Sequence, residues 1–292
     1  MKKVLILGAT GMLGSAVYDV LKDKYNLVLG VRNLNKIGLL DKTYGGIKNH
    51  KLVEFDACLI YQDFVNKKGY PGDYLNNFLK KLGGVDYVIN AVGIIVPFVL
   101  RDPTITFFIN GTLPHILARI FRDKLIHITT DCVYNGKEGF PYDENSPKTP
   151  VDIYGLSKSL GEPTACLTLR TSIIGRELDG FTGLLEWFLQ QKGKAITGFA
   201  NHFWNGITTK QFGKICEQII QNPDRFPKSG LFHIFSTIVS KYEMLLKFKE
   251  KYNVDCKIEE DQKQKLNRTL KTIHDLNSKL QIPSFDEMLK DL

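Results

Sequence analysis

Val4-Leu5-Ile6-Leu7 runs directly into Gly8-Ala9-Thr10-Gly11-Met12-Leu13-Gly14, and the reading of this stretch decides the fold. Four apolar residues in succession suit a strand buried on both faces of a parallel sheet. The G-x-x-G-x-x-G loop behind them opens an amphipathic segment from Gly11 to Lys24, with Leu13, Val17, Val20 and Leu21 on one face. Glycines permit a tight turn and a close approach of the backbone to a pyrophosphate. The helix N-terminus adds free N–H groups and a favourable dipole. A glycine triplet alone is a weak signal. Between a buried strand and an amphipathic helix it predicts a dinucleotide site built from Gly8, Thr10, Gly11, Met12, Leu13 and Gly14.

Working outward, short apolar runs recur at 27–31, 52–55, 87–90, 125–128 and 167–170. Helical patterns separate them, among them 73–82, opened by an Asp cap, and a long one from Pro103 to Arg122. Pro114 should either kink that long helix or mark its true start. Strand–helix alternation implies right-handed crossovers and a Rossmann-type, doubly wound parallel sheet, an α/β fold assigned to residues 1–171. Beyond Ser172 the rhythm changes. Helical patterns at 182–191, 209–221, 241–252 and 284–292, with one short strand at 231–235, predict a smaller, mainly helical substrate lobe over 172–292, with some interleaving of segments. The loop 135–150, rich in Gly, Pro, Asp and Asn, is a connection of the kind that carries function.

The second strand ends Gly30-Val31-Arg32-Asn33, without the acid that would bind a ribose 2′-hydroxyl. Arg32 can clasp a 2′-phosphate instead, which favours NADP(H) over NAD(H). Asp56, after the third strand, suits the adenine amino group, and Asn90-Ala91-Val92-Gly93 suits the wall beside the adenosine ribose.

At the other end of the chemistry, Tyr154-Gly155-Leu156-Ser157-Lys158 gives Y-x-x-x-K, whose side chains share one helix face. An ammonium beside a phenol stabilises the phenolate, so the tyrosine can protonate a carbonyl oxygen while hydride adds to its carbon. The spacing also occurs at Tyr18–Lys22, a surface pair on the first helix, and at Tyr44–Lys48, interrupted by Gly45-Gly46. Only Tyr154–Lys158 follows a strand ending in hydroxyls, Ile128-Thr129-Thr130-Asp131, where Thr130 can orient a carbonyl. Context selects that pair.

The string Thr129-Thr130-Asp131-Cys132-Val133-Tyr134-Asn135-Gly136, with Tyr142-Asp143-Glu144, Pro147, Tyr154 to Lys158, Gly161-Glu162 and Leu169 to Gly175, resembles the dTDP-4-dehydrorhamnose reductase family of extended short-chain dehydrogenases. The likeness is good over residues 1–175 and vague beyond. It implies reduction of a 4-keto-6-deoxy sugar nucleotide by a Thr130, Tyr154 and Lys158 triad, with Lys158 also holding the nicotinamide ribose. Typical members carry tyrosine where this chain has Cys132. The similar GDP-fucose synthases carry a cysteine at that spacing which moves protons at C3 and C5, so Cys132 is either a base, with His202 as partner acid, or a small buried filler. Asp131, Arg176, His202 and Trp204 are assigned to the sugar nucleotide; His115 and His127 read as structural.

The competing readings are a sugar-nucleotide 4-epimerase or dehydratase on the same fold and a non-catalytic NADP-binding regulatory subunit. A formal charge of +8 from scattered lysines such as Lys2-Lys3, Lys67-Lys68 and Lys80-Lys81 shows no aromatic-interleaved stripe and gives no case for nucleic acid. Five dispersed cysteines without a C-x-x-C pair argue against a disulfide framework and a metal site, and for a reducing, cytoplasmic compartment. The longest apolar stretch, 87–100, is broken by Asn90, Gly93 and Pro97 and is too short for a bilayer. A homodimer is compatible with the sequence.

Overall fold

The computed structural model describes residues 1–67 and 72–292; Lys68 of the lysine pairs lies outside them. Twelve strands are present among the described residues: β1 (Lys3–Leu7), β2 (Asn26–Val31), β3 (Lys51–Glu54), β4 (Tyr87–Asn90), β5 (Leu125–Thr129), β6 (Leu167–Arg170), β7 (Ile173–Ile174), β8 (Ala195–Trp204), β9 (Ile207–Thr208), β10 (Gly230–His233), β11 (Val239–Ser240) and β12 (Lys257–Asn267). Seven form one parallel sheet in the order β10-β6-β5-β4-β1-β2-β3. The chain runs one way from β1 through β3 and the other way from β4 onward, so the strand order reverses between β1 and β4. Ligands of doubly wound sheets bind at that crevice, outside the carboxyl ends of the strands.

The apolar run of β1 explains why the sheet is covered twice. Val4 and Ile6 enter one core layer with Tyr18, Leu21 and Phe212; Leu5 and Leu7 enter the opposite layer with Phe78, Leu117 and Phe121. All four are fully buried, each worth about 1.5–3 kcal/mol. A third core, with Leu185, Phe188, Trp204, Met244, Phe248 and Phe285, belongs to the second lobe.

Several expectations change in detail. The short strand seen at 231–235 is β10, and it pairs with β6 at the edge of the large sheet. The second lobe holds a three-stranded sheet, β11-β8-β12, whose two long parallel strands the periodicity did not announce. The helix Asp73–Leu82 is capped by Gly72, with no side-chain cap; Asp73 sits in its first turn and pairs with Lys67. Pro114 neither starts the helix, which begins at Pro103, nor breaks it, but is preceded by a change of winding. The segment runs as Pro103–Phe107, a π-turn at Phe108–Thr112, then Leu113–Phe121 with the proline in the first turn. Proline has no N–H for the carbonyl of Asn110 and its ring crowds that oxygen, and the helix widens to accommodate it. Among the described residues no helix is long and apolar enough to cross a membrane.

Candidate functional site

The glycine loop leaves β1 through Gly8, at φ +79°, and enters the helix Met12–Leu21. A Cβ on Gly14 would lie 2.1 Å from the Gly8 carbonyl oxygen, so only glycine lets this helix start so close to the strand end. No side chain caps the helix at Gly11, which leaves its first N–H groups directed at the crevice. This cradle fits a dinucleotide phosphate. On one side Arg32 is exposed beside Cys58, and Asp56 caps the helix Ala57–Asn66 by accepting from Cys58 N at 2.8 Å. On the other side the buried Asn90 accepts from Val92 N at 3.1 Å, shaping the turn Ala91-Val92-Gly93. Behind it, His127 Nδ1 faces Asn90 Nδ2 and His127 Nε2 faces the Gly161 carbonyl, a neutral imidazole whose pKa burial holds well below the usual histidine range.

Thr130 lies just past β5. Its hydroxyl accepts from Cys132 N at 3.1 Å and donates to Asp131 Oδ1 at 3.2 Å. Asp152 caps the helix Ile153–Leu160, and Gly155 lets that helix meet the 131–133 turn, since a Cβ there would sit 2.2 Å from the Cys132 carbonyl oxygen. The approach sets the Tyr154 phenol against the Thr130 hydroxyl. Burial drives the phenol pKa up, with Cys132 adding to the shift and Thr130 opposing it. One turn on, Lys158 is 5% exposed and donates to the Ile128 carbonyl at 2.9 Å; burial brings its pKa down to about 8. Thr130, Tyr154 and Lys158 therefore converge at the carboxyl end of β5.

Lys158 also carries a stability cost. Its pKa is depressed below the unfolded value, so the unfolded chain binds more protons between about 8 and the ordinary lysine value of 10.5. Lys158→Met is expected to stabilise the protein at pH 7 by up to about 3 kcal/mol. As pH rises from about 8 toward 10.5 the parent gains stability and the gap closes. Urea unfolding of both proteins across this range checks it; a less stable variant at pH 7 would refute the argument.

The other assigned residues divide. Cys132 is half-buried, with Sγ 3.7 Å from Asp131 Oδ1 and 3.3 Å from Arg268 Nη1; burial first, then Asp131, pushes its thiol up to about 12. His202, on β8, stacks on Phe199, and burial with the neighbouring Lys241 and Arg268 charges brings its pKa down to about 4. Trp204 joins Met12, Ser172 and Lys241 around a cavity of about 90 Å³ between the lobes. Arg176 is not brought to this group. Its guanidinium is exposed, held by the buried Glu186 carboxylate at 2.6 Å, and lies over the Tyr252 ring. Another cavity, about 310 Å³, opens at the opposite, amino end of the sheet's central strands between Lys2, Tyr87 and Phe226, and none of the motif residues lines it.

Three residues escaped the sequence reading. Asn110, in the π-turn, accepts from Ile94 N at 2.8 Å and donates to Ile94 O and Ser157 Oγ, tying the wall after β4 to the Tyr154 helix. Pro114, four residues later, was the available signal. Lys241 and Arg268 approach Asp131 and Cys132 from the second lobe, and no local spacing links them to the motif.

Residues 4–170 match the NAD dependent epimerase/dehydratase family, and residues 102–279 match the RmlD substrate binding domain. A curated relative, the "Probable low-salt glycan biosynthesis reductase Agl14" of Haloferax volcanii, is 27% identical over 246 residues, 79% of this chain and 73% of its own. The fold is shared with dTDP-4-dehydrorhamnose reductase from Bacillus anthracis in complex with NADP (TM-score 0.70, 18% identity, 99% of this chain and 98% of that one). It is also shared with WbmG from Bordetella bronchiseptica in complex with NAD (TM-score 0.68, 15% identity, 99% and 92%). The chain belongs to the NAD dependent epimerase/dehydratase family, within the extended short-chain dehydrogenases/reductases that carry an RmlD substrate binding domain.

Proposed function

We propose that the chain reduces the 4-keto group of a nucleotide-activated 4-keto-6-deoxy sugar with NADPH. The observation that carries the reading is the Tyr154 phenol set against the Thr130 hydroxyl, with Lys158 one turn away, at the carboxyl end of the parallel sheet. When bound, the nicotinamide dinucleotide supplies a hydride. The glycine loop and the helix N-terminus at Met12 would hold its diphosphate, and Arg32 a 2′-phosphate. Thr130 would position the keto oxygen, and Tyr154 would deliver a proton to it, the raised phenol pKa keeping that proton in place until a carbonyl needs it. Lys158 would steady the phenolate left behind. Asp131, at the end of β5, and Trp204 and His202, from the second lobe, would face the sugar.

The relatives support this direction through the activities in their names, a glycan biosynthesis reductase and a dTDP-4-dehydrorhamnose reductase with NADP. A base role for Cys132 in epimerisation loses weight, because the buried thiol beside the Asp131 carboxylate keeps its proton. The test is turnover of UDP-, dTDP- and GDP-linked 4-keto-6-deoxy sugars with NADPH or NADH in deuterated water. At least one should be reduced, faster with NADPH, with no deuterium at C3 or C5. No turnover with the whole panel would sink the reductase reading, and deuterium at either carbon would return Cys132 to the chemistry.

A further inference from the structure

The connection from β7 to the helix Leu184–Leu189 does not stay within the second lobe. It meets the nucleotide side of the crevice at two places. At its end, a Cβ on Gly183 would lie 3.7 Å from Met12 Sδ, and Met12 opens the helix whose first N–H groups face the crevice. Nearer its start, Asp179 pairs with Lys36 at 2.8 Å. Lys36 closes the 3₁₀ turn Leu34–Lys36, which follows directly on Arg32 and Asn33 after β2. Beside that pair, Leu178 packs against the core layer that holds Leu13 and Leu40. The loop thus reaches from the glycine-loop cradle to the turn behind Arg32.

Its shape is held from within. The Glu177 carboxylate accepts from Thr182 N at 3.1 Å and from Gly183 N, which ties the two ends of the loop together. Between them Phe181 adopts φ +45°, a conformation that an aromatic residue keeps only where the surrounding chain imposes it. Its ring does not supply the anchor, being 49% exposed. At the base, the buried Glu186 accepts from Arg176 Nε at 2.6 Å and from Glu177 N at 3.0 Å. The loop is therefore stiff and firmly rooted in the second lobe. Among the described residues its one ion pair to the nucleotide side is Lys36–Asp179, and both of those side chains are about half exposed. Such a pair is weak against water and opens readily.

We infer that residues 177–183 form a strap that closes over the bound dinucleotide, with Lys36–Asp179 as its latch, and that opening the latch sets the rate at which the cofactor leaves. A weak latch on a stiff loop suits a closure that must release its ligand at every turnover. This rests on the reading of the glycine loop as a dinucleotide site and is independent of which sugar is reduced.

The release rate is read without any sugar substrate, by stopped-flow displacement of fluorescent NADPH with excess NADP⁺. Asp179→Asn is the deciding variant. By charge alone, removing a carboxylate near an anionic ligand should hold that ligand longer. The strap requires the opposite, release faster by about two- to fivefold, the worth of an exposed ion pair. Lys36→Met should speed release at least as much, and adding Asp179→Asn to it should change the rate no further, since the latch is already broken. Chymotrypsin cleavage after Phe181, followed by mass spectrometry, reports the opening itself. NADPH should slow that cut and Asp179→Asn should hasten it. Release that is unchanged or slower in Asp179→Asn, or a cut at Phe181 indifferent to NADPH, overturns the strap and leaves the dinucleotide site standing. A parent protein that binds neither NADPH nor NADH instead removes the dinucleotide reading, and the strap with it, before any variant is made.

Discussion

Tyr154→Phe should lower kcat for keto-sugar reduction by roughly 10²- to 10⁴-fold, the span typical of a lost general acid. The substitution removes one oxygen from a half-buried ring and leaves the helix Ile153–Leu160, its Asp152 cap and the Gly155 contact untouched. Folding and NADPH affinity are therefore expected to stay near the parent values, so the loss should appear in kcat and hardly in cofactor binding. Thr130→Val should act on the same step by removing the hydroxyl beside the phenol. The two losses should not add, because both groups serve one proton transfer. Stopped-flow NADPH oxidation under single-turnover conditions measures this without interference from product release. Full turnover by the phenylalanine variant would mean that another group delivers the proton, and Cys132, 3.7 Å from Asp131 and still protonated, would be the first to examine.

The parts of this site that could be read from the chain are the parts whose residues are neighbours in sequence. Gly8 to Gly14 marks itself because strand, turn and helix follow within a dozen residues and each demands a different residue type. Tyr154 and Lys158 mark themselves through one helical turn, and Thr130 through the end of a buried strand. What stayed hidden is assembled from distance. Arg268 reaches Cys132 across 136 residues of chain, and no periodicity can announce that contact. The strand that delivers it, Lys257–Asn267, is an exposed edge strand rich in Lys, Glu, Asp and Gln, so it lacks the alternation that burial of one face imposes. Its partner β8 was legible only as a polar–aromatic cluster, because Asn201, His202 and Phe203 are all partly exposed around the cleft. Lys241 follows the serine cap and opens a helix, which sequence can show, while its place at the wall of a cavity is a property of the fold alone.

The same contrast between local and distant contacts decides where the fold is most vulnerable, and Arg170 is the position to test. It lies on β6, 2% exposed, with Nε and Nη2 on the two Glu162 oxygens at 2.9 and 2.6 Å. Its Nη1 points at the Tyr134 hydroxyl and at His233 Nε2, the latter at 2.9 Å. His233 Nδ1 is 2.7 Å from the Lys271 carbonyl and must donate there, so Nε2 carries the lone pair that accepts from the arginine. Arg170→Met leaves the Glu162 carboxylate buried with Lys148, at 3.2 Å, as its one remaining ion-pair partner among the described residues. The expected cost is about 3–5 kcal/mol, with a fall in Tm on the order of 10 °C. Most of that cost is the orphaned charge, so adding Glu162→Gln should recover part of the stability instead of deepening the loss. Thermal unfolding of the two single variants and the double variant gives the answer; an Arg170→Met protein as stable as its parent would show the pair to be dispensable. The consequence for the site is geometric. Glu162 also accepts from Thr129 Oγ1 at 3.0 Å, and Tyr134 closes the turn that begins at Thr130. The ion pair thus fixes the strand end whose hydroxyl must face Tyr154, and loosening it should lower kcat in the variant even where the protein remains folded.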